Sequence, residues 1–323
     1  MYDFISMSKA SLLESEALTI IKHLDLNAVC AYNSEFYDNE TTKNTPRFGG
    51  IYIRVTFKPL LKIEIEGSIH KYWYKKTNGY LSNYGLFTVR DAHEALKNML
   101  KDIGISMDDL IITSYEIGLN LWLSNNCLNY TNQMQSKTIG TGNKARDFGE
   151  NKGIKDKREQ ITLFHKDTRK YYKAYDKQSQ MKEDRRADRP EHANILRIES
   201  VLRRTKLPIL DFLSEKQAKK DCEQFRKDWN TLQFDRQMIT PKGTNIQDIG
   251  FCTEILNTSL EQFNAKTKAD FKSGTISERQ KRTRNTFAHI KWGDLKSNIL
   301  HTKSKEEIEF KAALENNYIL AKL

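Results

Sequence analysis

Carboxylates set inside strand-like sequence are where chemistry can begin. Glu64 and Glu66 alternate with Ile63 and Ile65, Glu116 sits in the run Asp109–Trp122, and Glu199 interrupts the apolar run Ile195–Val201. Desolvating a carboxylate is costly unless it is paired or metal-bound. Glu64, Glu116 and Glu199, on separate strands, are therefore read as sharing a polar pocket and as candidate ligands of a divalent metal, Mg2+ or Mn2+. The alternative is that each faces water on a one-sided sheet. His70, after Gly67-Ser68, is a further candidate ligand, or else a structural or exposed residue at a strand end.

Tyr175, one of 14 tyrosines, lies in Tyr171-Tyr172-Lys173-Ala174-Tyr175-Asp176-Lys177. A tyrosine hydroxyl can attack phosphorus and conserve the bond energy as a phosphotyrosine ester, while a divalent ion polarises the phosphate. Lys177, two residues on, is expected on the same strand face, where it would neutralise phosphate or ease ionisation of the phenol. Otherwise Tyr175 is a packing residue. Tyr72-Trp73-Tyr74, beside Lys71, Lys75 and Lys76, reads as a segment that stacks exposed bases in a basic groove, or as a strand of ordinary packed aromatics.

The elements that position these residues follow from periodicity. Alternation predicts strands over Gly49–Phe57 and Leu60–Gly67, paired antiparallel through Lys58-Pro59. Ala92, Ala95, Leu96, Met99 and Leu100 recur at helical spacing, which predicts a helix from Ala92 to about Lys101. Further strands are expected at Asp109–Trp122, Gln160–His165, Arg169–Tyr175 and Ile195–Arg204, the last ending in Arg203 and Arg204. Gln135–Arg158 is polar, basic and punctuated by glycine, so it reads as a flexible loop or a hairpin connection on the surface, carrying Lys144 and Arg146. Beyond Pro208 helical spacing takes over in Ser214–Asn230, Asp248–Asn264 and Ile308–Leu320. A boundary is placed near residue 206, with an α/β portion (1–206) before it and a helical portion (207–323) after it.

Composition narrows the classes. The chain carries 53 Lys+Arg against 42 Asp+Glu, a net charge of +11, which favours a polyanionic partner. Its 38% hydrophobic content suits a folded protein. Cys30, Cys127, Cys222 and Cys252 are scattered without a Cys-x-x-Cys pair, which argues against a structural zinc site and for thiols in a reducing compartment. There is no Gly-x-Ser-x-Gly elbow for a hydrolase serine and no Walker loop, so any duplex opening is left to a separate helicase. No apolar run approaches the ~18 residues of a membrane span, and Met1–Ala10 lacks the pattern of a signal peptide. The chain is read as soluble and intracellular.

At these residues the sequence resembles the filamentous-phage gene II replication protein and related rolling-circle plasmid initiators. Lys62-Ile63-Glu64-Ile65-Glu66-Gly67-Ser68-Ile69-His70-Lys71 is similar to that family's first strand, and Thr113-Ser114-Tyr115-Glu116-Ile117 to its Arg-Ile-Asp strand. Here Ser114-Tyr115 stands in place of Arg-Ile, and glutamate in place of aspartate. Tyr172–Lys177 and Leu196-Arg197-Ile198-Glu199 are similar to its Tyr-x-Lys and Arg-hydrophobe-Glu strands. The resemblance covers residues 48–215. It implies an α+β fold in which a central antiparallel sheet, flanked by helices, displays the site, with Tyr175 as the nicking nucleophile. It also implies recognition of origin DNA, cleavage of single-stranded DNA through a covalent 5′-phosphotyrosine, and handover to the helicase and polymerase of a bacterial host. A mobilisation relaxase, or a DNA-binding regulator with an initiator-like fold, are the alternatives. DNA contacts are expected from Lys71, Trp73, Lys75, Lys76, Lys144, Arg146, Arg203 and Arg204, and phosphate contacts from the loop Gln135–Arg158 and the segment Lys266–Lys291.

Overall fold

Strands β1 (Tyr2–Ala10), β2 (Asn27–Ala31), β3 (Ser34–Asp38), β4 (Ile51–Lys58), β5 (Lys62–Ser68) and β6 (Ile111–Leu123) come first in the chain. They are followed by β7 (Thr138–Ile139), β8 (Arg146–Asp147), β9 (Gln160–Thr162), β10 (Lys170–Asp176) and β11 (Asn194–Pro208). The computed structural model describes all residues except 11, 32–33, 40–47, 135–137, 141–145, 148–159, 163–168, 184–193, 233, 235–236, 240–242, 299 and 323. The protein is α+β. Nine strands form one antiparallel sheet in the order β2-β3-β4-β5-β1-β6-β11-β10-β9, and β7 pairs with β8.

The expected pairing of β4 with β5 is present, with Ile53 opposite Ile65 and Val55 opposite Ile63. β1, β2, β3, β7 and β8 are absent from the sequence reading, and of these β1 lies at the centre of the large sheet between β5 and β6. Helices α1 (Glu14–Leu24), α2 (Ile69–Asn78), α3 (Val89–Ile103), α4 (Cys127–Met134), α5 (Lys177–Glu183), α6 (Ile209–Phe212) and α7 (Glu215–Thr231) flank the strands in sequence. The expected helix from Ala92 is α3, which begins earlier because Thr88 and Asp91 form a reciprocal capping box.

Strand alternation gives the central strands two unlike faces. On one, Leu121 lies opposite Leu196, Leu119 opposite Ile198, and Ile198 opposite Ala174. This apolar face shares one core with residues of α1, α3, α4 and α7, including Ile20, Leu96, Tyr130 and Phe225. Trp229 of α7 is fully buried there, donates its indole N–H to Ser200 Oγ at 3.2 Å, and meets the Tyr172 ring edge-on at 5.9 Å. The hydroxyls of Tyr2 and Tyr115 both donate to Asp221 of α7, at 2.9 and 3.0 Å, which pins the helix to β1 and β6.

The chain divides into two compact units, one of Met1–Phe234 with Glu306–Leu323 and one of Asp235–Lys305. The expected boundary near residue 206 falls instead inside β11, because α7 is needed to cover the apolar face. The second unit holds β12 (Gln237–Ile239), α8 (Ile246–Asn257), α9 (Leu260–Lys272), α10 (Glu278–Thr286), a π-helical turn at Phe287–Lys291, α11 (Trp292–Asn298) and β13 (Leu300–Thr302). Its core gathers Cys252, Ile255, Phe263, Phe287 and Trp292. The helix α12 (Lys305–Lys322) returns the chain to the first unit, where Phe310 packs on Trp229. Cys127, Cys222 and Cys252 are buried thiols. Among the described residues no helix is long and apolar enough to cross a membrane.

Replacing Asp221 with alanine would leave two buried phenol hydroxyls unpaired. The expected loss is roughly 2–4 kcal/mol of stability, read from the urea midpoint. An unchanged midpoint would show that the carboxylate does not anchor α7.

Candidate active site on the polar face of the sheet

The other face of the same strands is built from three rows across β10, β11 and β6. They read Tyr171–Val201–Glu116, Lys173–Glu199–Gly118 and Tyr175–Arg197–Asn120. Tyr175, Glu116 and Glu199 therefore meet on one face, as the sequence reading expects. Glu64 does not join them: it lies on β5 paired with Lys62 at 3.0 Å and is 41% exposed.

Arg197 organises the face. Its Nε donates to Glu199 Oε1 at 3.0 Å, Nη1 to Asn120 Oδ1 at 3.1 Å and Nη2 to Asp3 Oδ2 at 2.9 Å. The space it occupies exists because residue 118 is glycine: a Cβ there would stand 2.6 Å from Nη2 and 2.8 Å from Cζ. Asp3 also accepts from Ser68 Oγ and, at 3.2 Å, from Asn83 Nδ2. These anchors are buried.

Tyr175 donates its hydroxyl hydrogen to Glu199 Oε1 at 2.9 Å. Burial, then the Glu199 charge, push the phenol well above its ordinary value, so it rests protonated. Burial alone would raise Glu199, but Lys173 and Arg197 outweigh it and hold the carboxyl below its usual range. Lys173 lies 2.6 Å from Glu116 Oε1 and 3.1 Å from Glu199 Oε2. Glu116 is pushed up to about 7 by burial and by Glu199. Of the two acids that share Lys173, Glu116 thus takes a proton first.

Lys177 reaches the site by a route the alternation did not foresee. The strand ends at Asp176, whose carboxylate accepts from the Gln178 and Ser179 backbone N–H groups at 2.9 and 3.2 Å and so starts α5. Lys177 is the first residue of that helix, yet its Nζ lies 5.9 Å from the Tyr175 ring centre and donates to Gln180 Oε1 at 2.9 Å. Burial, then the Arg197 charge, push the ammonium down to about 8.

The acids Asp3, Glu116 and Glu199 are matched by the cations Lys173, Lys177 and Arg197. Among the described residues no three His, Cys, Asp or Glu side chains gather as a metal-ready set. Each site carboxylate is held by a lysine or arginine in this arrangement.

His70 stands in α2, not at a strand end. It is 2% exposed, with its ring stacked on Phe87 at 4.2 Å. The Tyr72-Trp73-Tyr74 segment is likewise helical, because Ser68 caps α2 by accepting from the Lys71 N–H. Tyr72 turns inward and donates to Asp102 at 2.5 Å, Trp73 packs on the core, Lys75 bonds the Gly79 carbonyl at 2.6 Å and Lys76 pairs with Asp102 at 2.6 Å. The alternative of an ordinary strand of packed aromatics is thus replaced by a helix, and Lys71 is half-buried. Arg203 and Arg204 are exposed where β11 bulges, Arg203 donating to the Tyr171 hydroxyl at 3.0 Å and Arg204 adopting φ 51°. Lys144 lies outside the described residues, as does the side chain of Arg146 in β8. In the second unit, much of the basic segment is tied internally: Lys266 and Arg284 to Glu254, and Lys291 to Asp248, at 2.8–3.0 Å.

Asp3, Asn120, Lys173 and Arg197 are the site residues that sequence reasoning did not single out. Arg197 carried the signal used for Glu199, a charge inside an alternating run. No protein-family model matches the chain, and no curated protein matches it.

Gly118→Ala should push the Arg197 guanidinium out of its seat, costing roughly 1–3 kcal/mol by chemical denaturation. A variant as stable as the parent would mean that Arg197 has a second equally good position.

Proposed function

We propose that this chain is a DNA nicking–joining enzyme of the rolling-circle initiator kind, with Tyr175 as its nucleophile. The observation that carries this reading is the 2.9 Å bond from the Tyr175 hydroxyl to a carboxylate that remains ionised, beside Arg197 and Lys177. As the phenol oxygen attacks phosphorus, its proton passes to Glu199. The bond from phosphorus to the 3′ oxygen breaks, and Lys177 supplies the proton which that oxygen needs. The products are a 5′-phosphotyrosine and a free 3′ hydroxyl, and the reverse steps rejoin the strand. Arg197 and the lysines stabilise the charge that grows on phosphorus, and no step is routed through a metal. Tyr175 is 8% exposed, so the phosphate reaches it only after side chains over this face move.

Origin recognition, capture of single-stranded DNA, a cytoplasmic site of action in a bacterial host, and cooperation with the host helicase and polymerase belong to the same proposal. Arg203 and Arg204 are exposed near Tyr171 and suit phosphate contacts. A second reading draws on the burial and charge balance of the network: a DNA-binding regulator in which Tyr175 is structural.

The two readings part on one assay. Incubation with single-stranded origin DNA should give a covalent adduct that mass spectrometry maps to Tyr175. Tyr175→Phe should reduce nicking by roughly 10³-fold or more with DNA binding retained. Undiminished nicking by that variant would remove Tyr175 from the chemistry.

Lys177 acts in its protonated form, so cleavage should fall as pH rises through about 8. Lys177→Arg, which does not titrate in that range, should lose this limb. A limb that persists in Lys177→Arg would assign the proton to another group.

A further inference from the structure

Beside Arg197, the first unit holds a cavity of about 110 Å3 that Tyr175's chemistry does not use. One water needs only ~10–15 Å3, so the space suits a group of several heavy atoms. His70, Phe87, Asn120, Trp122, Tyr84 and Arg197 are among its walls. His70 Nε2 is buried and has no hydrogen-bond partner among the described residues. Leaving a buried polar atom unmet is costly, which makes this nitrogen a feature that a ligand would satisfy. The imidazole lies within 4° of parallel to Phe87, so its ring position is fixed by stacking. Burial holds it neutral, with its titration pushed down to about 3.

The wall chemistry selects the ligand class. A neutral imidazole edge and aromatic rings favour a planar, hydrogen-bonding heterocycle. An anion is disfavoured, because Asp3 shares the wall and the Arg197 donors are engaged by Asp3, Asn120 and Glu199. Trp122 follows Asn120 on the same face of β6 and is 50% exposed, an open indole beside the cavity. Arg197 and Asn120 line the cavity and also complete the Tyr175 row, so the space adjoins the reacting phenol.

We propose that this cavity receives one nucleobase of the strand whose phosphate meets Tyr175, its edge bonded to His70 Nε2 and its face against Trp122. This rests on the nicking reading and adds to it the group that sets the register of the strand.

The test uses the full chain and a short thymidine oligonucleotide carrying one 2-aminopurine, read by fluorescence. Binding should quench the 2-aminopurine, and Trp122→Leu should remove the quenching and weaken binding roughly tenfold. His70→Phe keeps the ring stack on Phe87 but has no nitrogen, and should weaken binding roughly fivefold, with His70→Gln regaining part of the loss. Trp122 is half-exposed, so its variant folds even where a His70 variant does not, and thermal melts check both. Unchanged affinity and a bright 2-aminopurine in a protein that still forms the Tyr175 adduct would overturn the pocket and leave the nucleophile standing. Quenching that both substitutions abolish, in a protein that forms no adduct, would uphold the pocket and overturn the nicking reading.

Discussion

Everything on the polar face depends on keeping the Arg197 guanidinium charged out of water. A buried arginine is tolerated when its donors are met and its charge is balanced. Here three strands each supply one acceptor: β1 gives Asp3, β6 gives Asn120 and β11 gives Glu199. The same contacts therefore hold three strands in register from one side. Gly118 is the complement of this arrangement, since any side chain at that point would occupy the guanidinium's place.

From that anchor the site assembles outward. Glu199, fixed by Arg197 on one oxygen and by Lys173 on the other, is an ionised carboxylate with a set direction, and Tyr175 donates to it. The opposite face of the same strands is closed by Trp229, Phe225 and Phe310, so the polar side chains are confined to one side. The asymmetry comes from alternation alone: residues 171, 173 and 175 face the network, while Tyr172 and Ala174 face the core.

Much of this was legible in the residues, and the failures have physical causes. Ile63 and Ile65 marked β5, and the acids Glu116 and Glu199 marked the polar rows, because an acid in a strand must be explained. The first strand is hard to read because alternation breaks at Phe4-Ile5, so Ile5-Ser6-Met7-Ser8-Lys9 alternates alone and Asp3 lies outside that short run. Tyr72-Trp73-Tyr74 looked strand-like by composition, but the Ser68 cap and the Gly79 turn at φ 83° make a helix of Ile69–Asn78. Helical spacing after Pro208 suggested a new unit there. Periodicity cannot tell whether a helix covers an existing sheet or starts another core, and α7 covers the sheet. Arg197 pairs with Asp3 across 194 positions of the chain, a partnership no local pattern reveals.

On the nicking reading, the charge balance of the face bears on how it would accept DNA. A phosphate brought to Tyr175 adds negative charge to a site whose acids and cations are already matched. Glu116, which burial and Glu199 already push up to about 7, is the group that protonates most cheaply in response. Protonation there releases Lys173 from one of its two carboxylates, while Glu199 keeps Arg197 and stays ionised to receive the Tyr175 proton. On the nicking reading, Lys173 is thus the cation that a phosphate can recruit without dismantling the anchor. Arg197, tied to three strands, is the cation it cannot.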